Sequence, residues 1–68
     1  MPAIDSSTIT WADYDDDTQT LTITFKNGGV YEYSHLDTKT YADFLDAPSQ
    51  GKFFSRYIRD KYPTHKLR

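Results

Sequence analysis

The stretch TQTLTITFKNGGVYEYS, residues 18–34, limits this chain more than any other. Leu21, Ile23 and Phe25 alternate with Thr20, Thr22 and Thr24, the period of a strand with one buried face. Asn27, Gly28 and Gly29 accept positive φ, so the chain turns back there and Val30–Ser34 returns as a partner strand. Loop length decides the face of two tyrosines. A two-residue Asn27-Gly28 turn puts Tyr31 and Tyr33 on the threonine face, open to water or a ligand. A three-residue Asn27–Gly29 loop pairs Phe25 with Tyr31 and Ile23 with Tyr33, on the apolar face, and turns Glu32 outward beside Thr24. The second arrangement is preferred, because the first sets Glu32 opposite Ile23 on the core side.

The preceding segment TITWADYD is rich in β-branched and aromatic residues and reads as another strand, with Asp15–Thr18 as the turn between. Ala12 and Tyr14 take its core side through a bulge near Asp13, which leaves Trp11 exposed to a partner. Beyond residue 36 the period changes to helical. Asp37 or Thr38 caps a first helix whose Tyr41, Phe44 and Leu45 share a face, with Lys39, Asp43 and Asp46 opposite; Pro48 ends it. Ser49 caps a second helix, eased by Gly51, that runs to Pro63. At about 100° per residue it groups Phe54, Tyr57 and Ile58 against the sheet and Lys52, Arg56 and Arg59 on the far side. The expected fold class is α+β: a three-stranded antiparallel β-meander followed by two α-helices packed on one sheet face. One domain covers residues 1–68, with 64–68 a flexible tail.

Charge is divided along the chain. Residues 1–51 carry nine acids and two bases, whereas residues 52–68 carry six bases and the single acid Asp60. Such asymmetry marks an anion-binding end, or two regions that attract each other within the fold. There is no cysteine, hence no disulfide or thiolate metal site, and a reducing compartment is compatible. MPAIDSSTIT has neither a basic start nor an apolar run, and no apolar stretch approaches membrane-spanning length. A cytoplasmic location without membrane association is expected.

The cationic stripe Lys52, Arg56 and Arg59 is the foremost candidate site, extended by Lys66 and Arg68, with Tyr57 or Tyr62 placed to stack on bases. Ser49 and Gly51 start the second helix and serve as a cap or an anion contact. Trp11 with Asp15, Asp16 and Asp17 forms a candidate protein contact. Asp13, Asp15 and Asp17 have the spacing that opens a calcium loop, but Thr18 replaces its glycine and Thr24 its closing glutamate, so no metal is expected. His35 and His65 lie on separate segments. No nucleophile–base pair can be picked out, so neither an enzyme nor a cofactor is expected.

SSTI, YDDDTQTLTITFKNGGVYEY and SQGKFFSRYIRDKYP together resemble the KTSC domain, a short bacterial and phage domain. Its most specific parts here are Tyr31-Glu32-Tyr33 and the order Ser49, Gly51, Phe54, Ile58, Arg59. This chain departs from the pattern at Leu36-Asp37, Ser55 and Asp13. The resemblance implies a small α+β domain, a core motif of Tyr31, Tyr33, Phe54 and Ile58, and no established activity. The family takes its name from the C-terminus of some lysyl-tRNA synthetases, which suggests RNA as a ligand by association. The expected function is thus a non-enzymatic module that binds RNA or another polyanion through the basic helix. The alternatives are a protein-interaction module, as a phage or bacterial inhibitor or a homo-oligomer, and a small-nucleotide-binding domain.

Overall fold

The alternating stretch forms the centre of the sheet in the computed structural model, which describes residues 8–68. Ser6 and Ser7, part of the family resemblance, lie outside them. Strands β1 (Ile9–Asp15), β2 (Thr20–Phe25) and β3 (Val30–Tyr33) run as an antiparallel meander. Helix α1 (Thr38–Asp46) follows, then α2 (Gln50–Phe53), which continues into a π-helical turn (Phe54–Ile58), and finally β4 (Thr64–Lys66).

Among the described residues the sheet has four strands in the order β1-β2-β3-β4, which corrects the three-stranded expectation and the reading of 64–68 as a flexible tail. The fourth strand satisfies the outer edge of β3, whose N–H and C=O groups would otherwise lack partners. Tyr31, Glu32 and Tyr33 pair with Lys66, His65 and Thr64. Ser34 N–H donates to the Pro63 carbonyl (2.9 Å) and Leu67 N–H to the Val30 carbonyl (2.8 Å). No apolar alternation marks this strand, so its pairing is set by the neighbouring edge.

Tyr31 and Tyr33 do lie on the apolar face, but two residues out of the expected register: Ile23 pairs with Tyr31 and Leu21 with Tyr33. The loop has three residues, Lys26–Gly28, one earlier than expected. Gly28 holds the left-handed position (φ 94) and donates to the Phe25 carbonyl (2.9 Å), and Phe25 N–H donates to the Gly29 carbonyl (2.8 Å). Asn27 Oδ1 accepts from Gly29 N–H, which favours this turn over the later one. Glu32 therefore faces Thr22, not Thr24. The bulge in β1 lies between Ile9 and Trp11, not near Asp13. The extra residue, Thr10, lets Ile9 and Ala12 both face inward and turns Trp11 out.

Both helical segments cover the same sheet face. Phe44, Phe54 and Ile58 join Ile9, Ala12, Leu21, Ile23, Tyr33 and Leu36 in one buried cluster, and Tyr31 packs against it half-buried. Phe54 meets Phe25 and Tyr33 edge-on, with ring centroids 5.4 and 5.3 Å apart. Tyr14 stacks on Tyr41 at 4.4 Å and its hydroxyl donates to the Leu36 carbonyl at 2.6 Å, joining β1 to α1. In α1, Phe44 is buried and Tyr41 and Leu45 half-buried, as the spacing predicts. Asp37 occupies the N-cap, but its carboxylate accepts the Thr40 hydroxyl (2.5 Å), and that bond lowers its pKa.

The second helix departs from expectation. Its last turn is closed by Arg59 N–H donating to the Phe54 carbonyl (2.8 Å), five residues back. It ends at Ile58, well before Pro63, and Asp60 then takes a left-handed φ of 62. Regular α-helical phase would point Phe53, Phe54, Tyr57 and Ile58 toward the sheet together. In the wider turn Phe54 and Ile58 are buried and Phe53 packs half-buried against the core. Tyr57 is 51% exposed, which corrects its expected place among the residues packed on the sheet.

Candidate functional site

A groove runs along the outer side of the second helical segment. Its lining includes Ser49, Gly51, Lys52, Phe53, Arg56 and Tyr57, together with Thr8. Ser49 begins the helix, and its hydroxyl accepts from Lys52 N–H at 3.3 Å, so it acts as the cap read from the sequence. Gln50 Nε2 donates to the Leu45 carbonyl (3.2 Å), which ties this helix start to the end of α1. Gly51 lies in the first helical turn. Lys52 and Arg56 are exposed, with no salt bridge to either among the described residues.

Tyr57 forms the ridge beside these cations. Its ring lies 4.8 Å from that of Phe53, which in turn meets Phe44 at 6.2 Å, so the exposed ring is braced from the core. Phe53 lines the groove and braces Tyr57, and the sequence reading did not single it out. Its spacing of four from Tyr57 was the available signal.

The other expected contacts are dispersed. Arg59 stands at the end of the π turn in extended backbone, with its Nε 4.0 Å from an Asp60 carboxylate oxygen. It is not among the residues that line the groove with Lys52 and Arg56. Its charge is felt by Tyr33, whose phenol is pushed up to about 12, mainly by burial; Tyr31 and Asp60 add to the rise and Arg59 opposes it. Lys66 belongs to β4 and Arg68 follows it, at the sheet edge opposite β1. Tyr62 lines a second groove with Asp43, Asp46, Pro48, Phe53 and Tyr57, on the acidic side of the aromatic ridge.

Asp15, Asp16 and Asp17 bring carboxylate oxygens within 4.8 Å of one another, and all three are exposed. Asp15 Oδ1 accepts from Asp17 N–H (3.0 Å) and Thr18 N–H (3.4 Å), so its geometry is that of a turn. Trp11 is 40% exposed on the sheet face away from the helices, apart from that turn. Among the described residues no polar or charged side chain is buried, and no helix is long and apolar enough to cross a membrane.

Comparison with known proteins agrees with this architecture. A KTSC domain protein from Yersinia pestis has a crystal structure that superposes with a TM-score of 0.94 at 31% identity, covering 98% of this chain and 94% of that one. A protein of Tsukamurella paurometabola is 31% identical over 91% of this chain and 92% of its own length. A lysine–tRNA ligase of Nostoc punctiforme is 38% identical over 93% of this chain, which spans only 11% of that ligase. The pattern of the KTSC domain matches residues 5–62, and on that match, with the shared fold, the chain belongs to the KTSC domain family.

Proposed function

We propose that this domain is a non-enzymatic binding module of the cytoplasm that takes single-stranded RNA along the Ser49–Tyr57 groove. Tyr57 is the observation that carries the reading. A large ring, half exposed and braced by Phe53, borders the groove that Lys52 and Arg56 also line. One base stacks on the ring while the two cations take the flanking phosphates, the combination that single-strand binders use. An RNA also figures in the name of the ligase relatives, which supports the choice of ligand. Arg59, Lys66 and Arg68 lie outside this groove and add long-range attraction only.

Fluorescence anisotropy with a labelled RNA of about ten nucleotides, titrated over a range of salt, tests this. Each phosphate contact contributes about 0.7 to the single-strand salt slope, so Lys52→Glu with Arg56→Glu should flatten it by about 1.4. Arg59→Glu should leave it nearly unchanged. Absence of salt-sensitive binding by the wild-type protein would sink the reading. Thermal stabilisation by a mononucleotide, with none by oligonucleotides, would replace it with a small-nucleotide pocket.

A further inference from the structure

The sheet face away from the helices has a pattern of its own. Register brings Trp11, Thr24 and Val30 side by side, and the hydrogen bond from Leu67 N–H to the Val30 carbonyl adds Leu67 to the row. Trp11 is 40% and Leu67 49% exposed, at the two ends. The next row is Asp13, Thr22, Glu32 and His65, and beyond it lie Asp15 and Thr20. Trp11, Val30 and Leu67 thus form an apolar row, interrupted by Thr24 on β2, beside a row with two carboxylates; these outward strand positions include neither lysine nor arginine, and the exposed Lys26 follows in the turn after β2. The helices cannot cover this face, since their buried residues Phe44, Phe54 and Ile58 pack on the other one.

From this pattern we infer that the open sheet face is a docking surface for a basic, amphipathic helix of a partner protein. Charge complementarity selects the occupant: apolar side chains lie along Trp11, Val30 and Leu67, and lysines or arginines along the helix flank meet Asp13 and Glu32. Size fits as well. Four strands about 4.8 Å apart give a row of roughly 14 Å, which about ten residues of helix span. Among the described residues, a second copy of this chain offers no such helix. Its own cationic segment, Gln50–Ile58, already spends its apolar side, Phe54 and Ile58, on the core. The site is independent of the RNA groove, which lies on the helical side of the sheet.

Trp11 is the single tryptophan of the chain, so its emission reports this face alone. The full chain is titrated with a twelve-residue amphipathic peptide of leucine and lysine at helical spacing. Controls are a scrambled peptide of the same composition and one with glutamate in place of lysine. The expected result is a saturable blue shift of Trp11 emission with the amphipathic basic peptide, at least tenfold weaker binding of both controls, and a reversed preference in Asp13→Lys with Glu32→Lys. Both substitutions are at outward positions, and should that pair fail to fold, the two charge-opposed peptides against the wild type read the same dependence. No shift with any peptide, or equal affinity for the scrambled one, overturns the inference. A shift that follows protein concentration alone, with a dimer by light scattering, overturns it in favour of self-association.

Discussion

Helix α1 and the segment from Gln50 to Ile58 both cover the sheet, yet they use their turns differently. The first is nine residues of regular α-helix; the second joins four α-helical residues to five π-helical ones. In α1 the period of 3.6 puts Tyr41, Phe44 and Leu45 toward the core and leaves a polar outer face joined by the Lys39–Asp43 ion pair (2.9 Å). The second segment carries three rings and an isoleucine within six residues, more bulk than its stretch of sheet accepts. Widening the turn relieves the crowding by rotating Tyr57 outward. An exposed aromatic ridge is thus a by-product of overfilled phase, and the same rotation brings it to the groove that Lys52 and Arg56 line. Two amphipathic stretches of equal length, one acidic and one basic, thus differ in how many of their rings reach the core.

The largest test of that comparison concerns the two buried rings. Phe44→Ala in α1 and Phe54→Ala at the π turn should each lose about 3–5 kcal/mol in chemical denaturation. Equal losses would establish that both segments anchor the core alike, whichever turn they use. A shift of only a degree or two in the Phe54→Ala melt would show that the π turn, not the ring, holds the second segment down.

Alkaline titration probes what the second segment covers. Tyr33 lies under Phe54, and its phenol rises from 10.0 to about 12 chiefly through burial. Its neutral form is favoured in the folded state, so the stability it contributes is complete below pH 10. It is lost as pH climbs toward 12, where the unfolded chain has released its proton and the folded chain has not. At about 1.36 kcal/mol per pKa unit this is a loss of roughly 2–3 kcal/mol. Tyr33→Phe should flatten that decline in pH-dependent urea melts, and an unchanged slope would show that the ring is solvated.

Tyr57→Ala should cost only about 0.5–1.5 kcal/mol, the value of its contact with Phe53, while abolishing base stacking in the RNA assay. A loss as large as that of Phe54→Ala would mean that Tyr57 is a core residue. The smallest change in stability is expected from deleting Ser55, which removes the extra residue of the wide turn. The segment should relax to regular α-helix with Phe54 and Ile58 three apart and still inside. Stability should change by no more than about 1 kcal/mol, one hydrogen bond exchanged for another. Arg56 moves relative to Tyr57, so the RNA salt slope should fall. Amide exchange on residues 54–59 would follow the change of ladder, and unaltered RNA binding would separate the π turn from the site.

Much of the fold was written in local pattern. The alternation through Leu21, Ile23 and Phe25 determined a half-buried strand, and Asn27-Gly28-Gly29 determined a hairpin. Tyr41, Phe44 and Leu45 determined the inner face of α1, because period and turn chemistry act within a few residues. The class of the fold and the membership of Phe54 and Ile58 in the core followed from the same evidence. Tertiary structure decided what depends on a neighbour. It made a strand of Thr64–Lys66, since an unpaired edge of β3 was there to be satisfied. It dispersed five cations that looked like a single stripe, and it turned Tyr57 outward when Phe53 and Phe54 had filled the space beneath. Periodicity describes a helix alone; only the sheet it meets fixes how many rings that helix can bury.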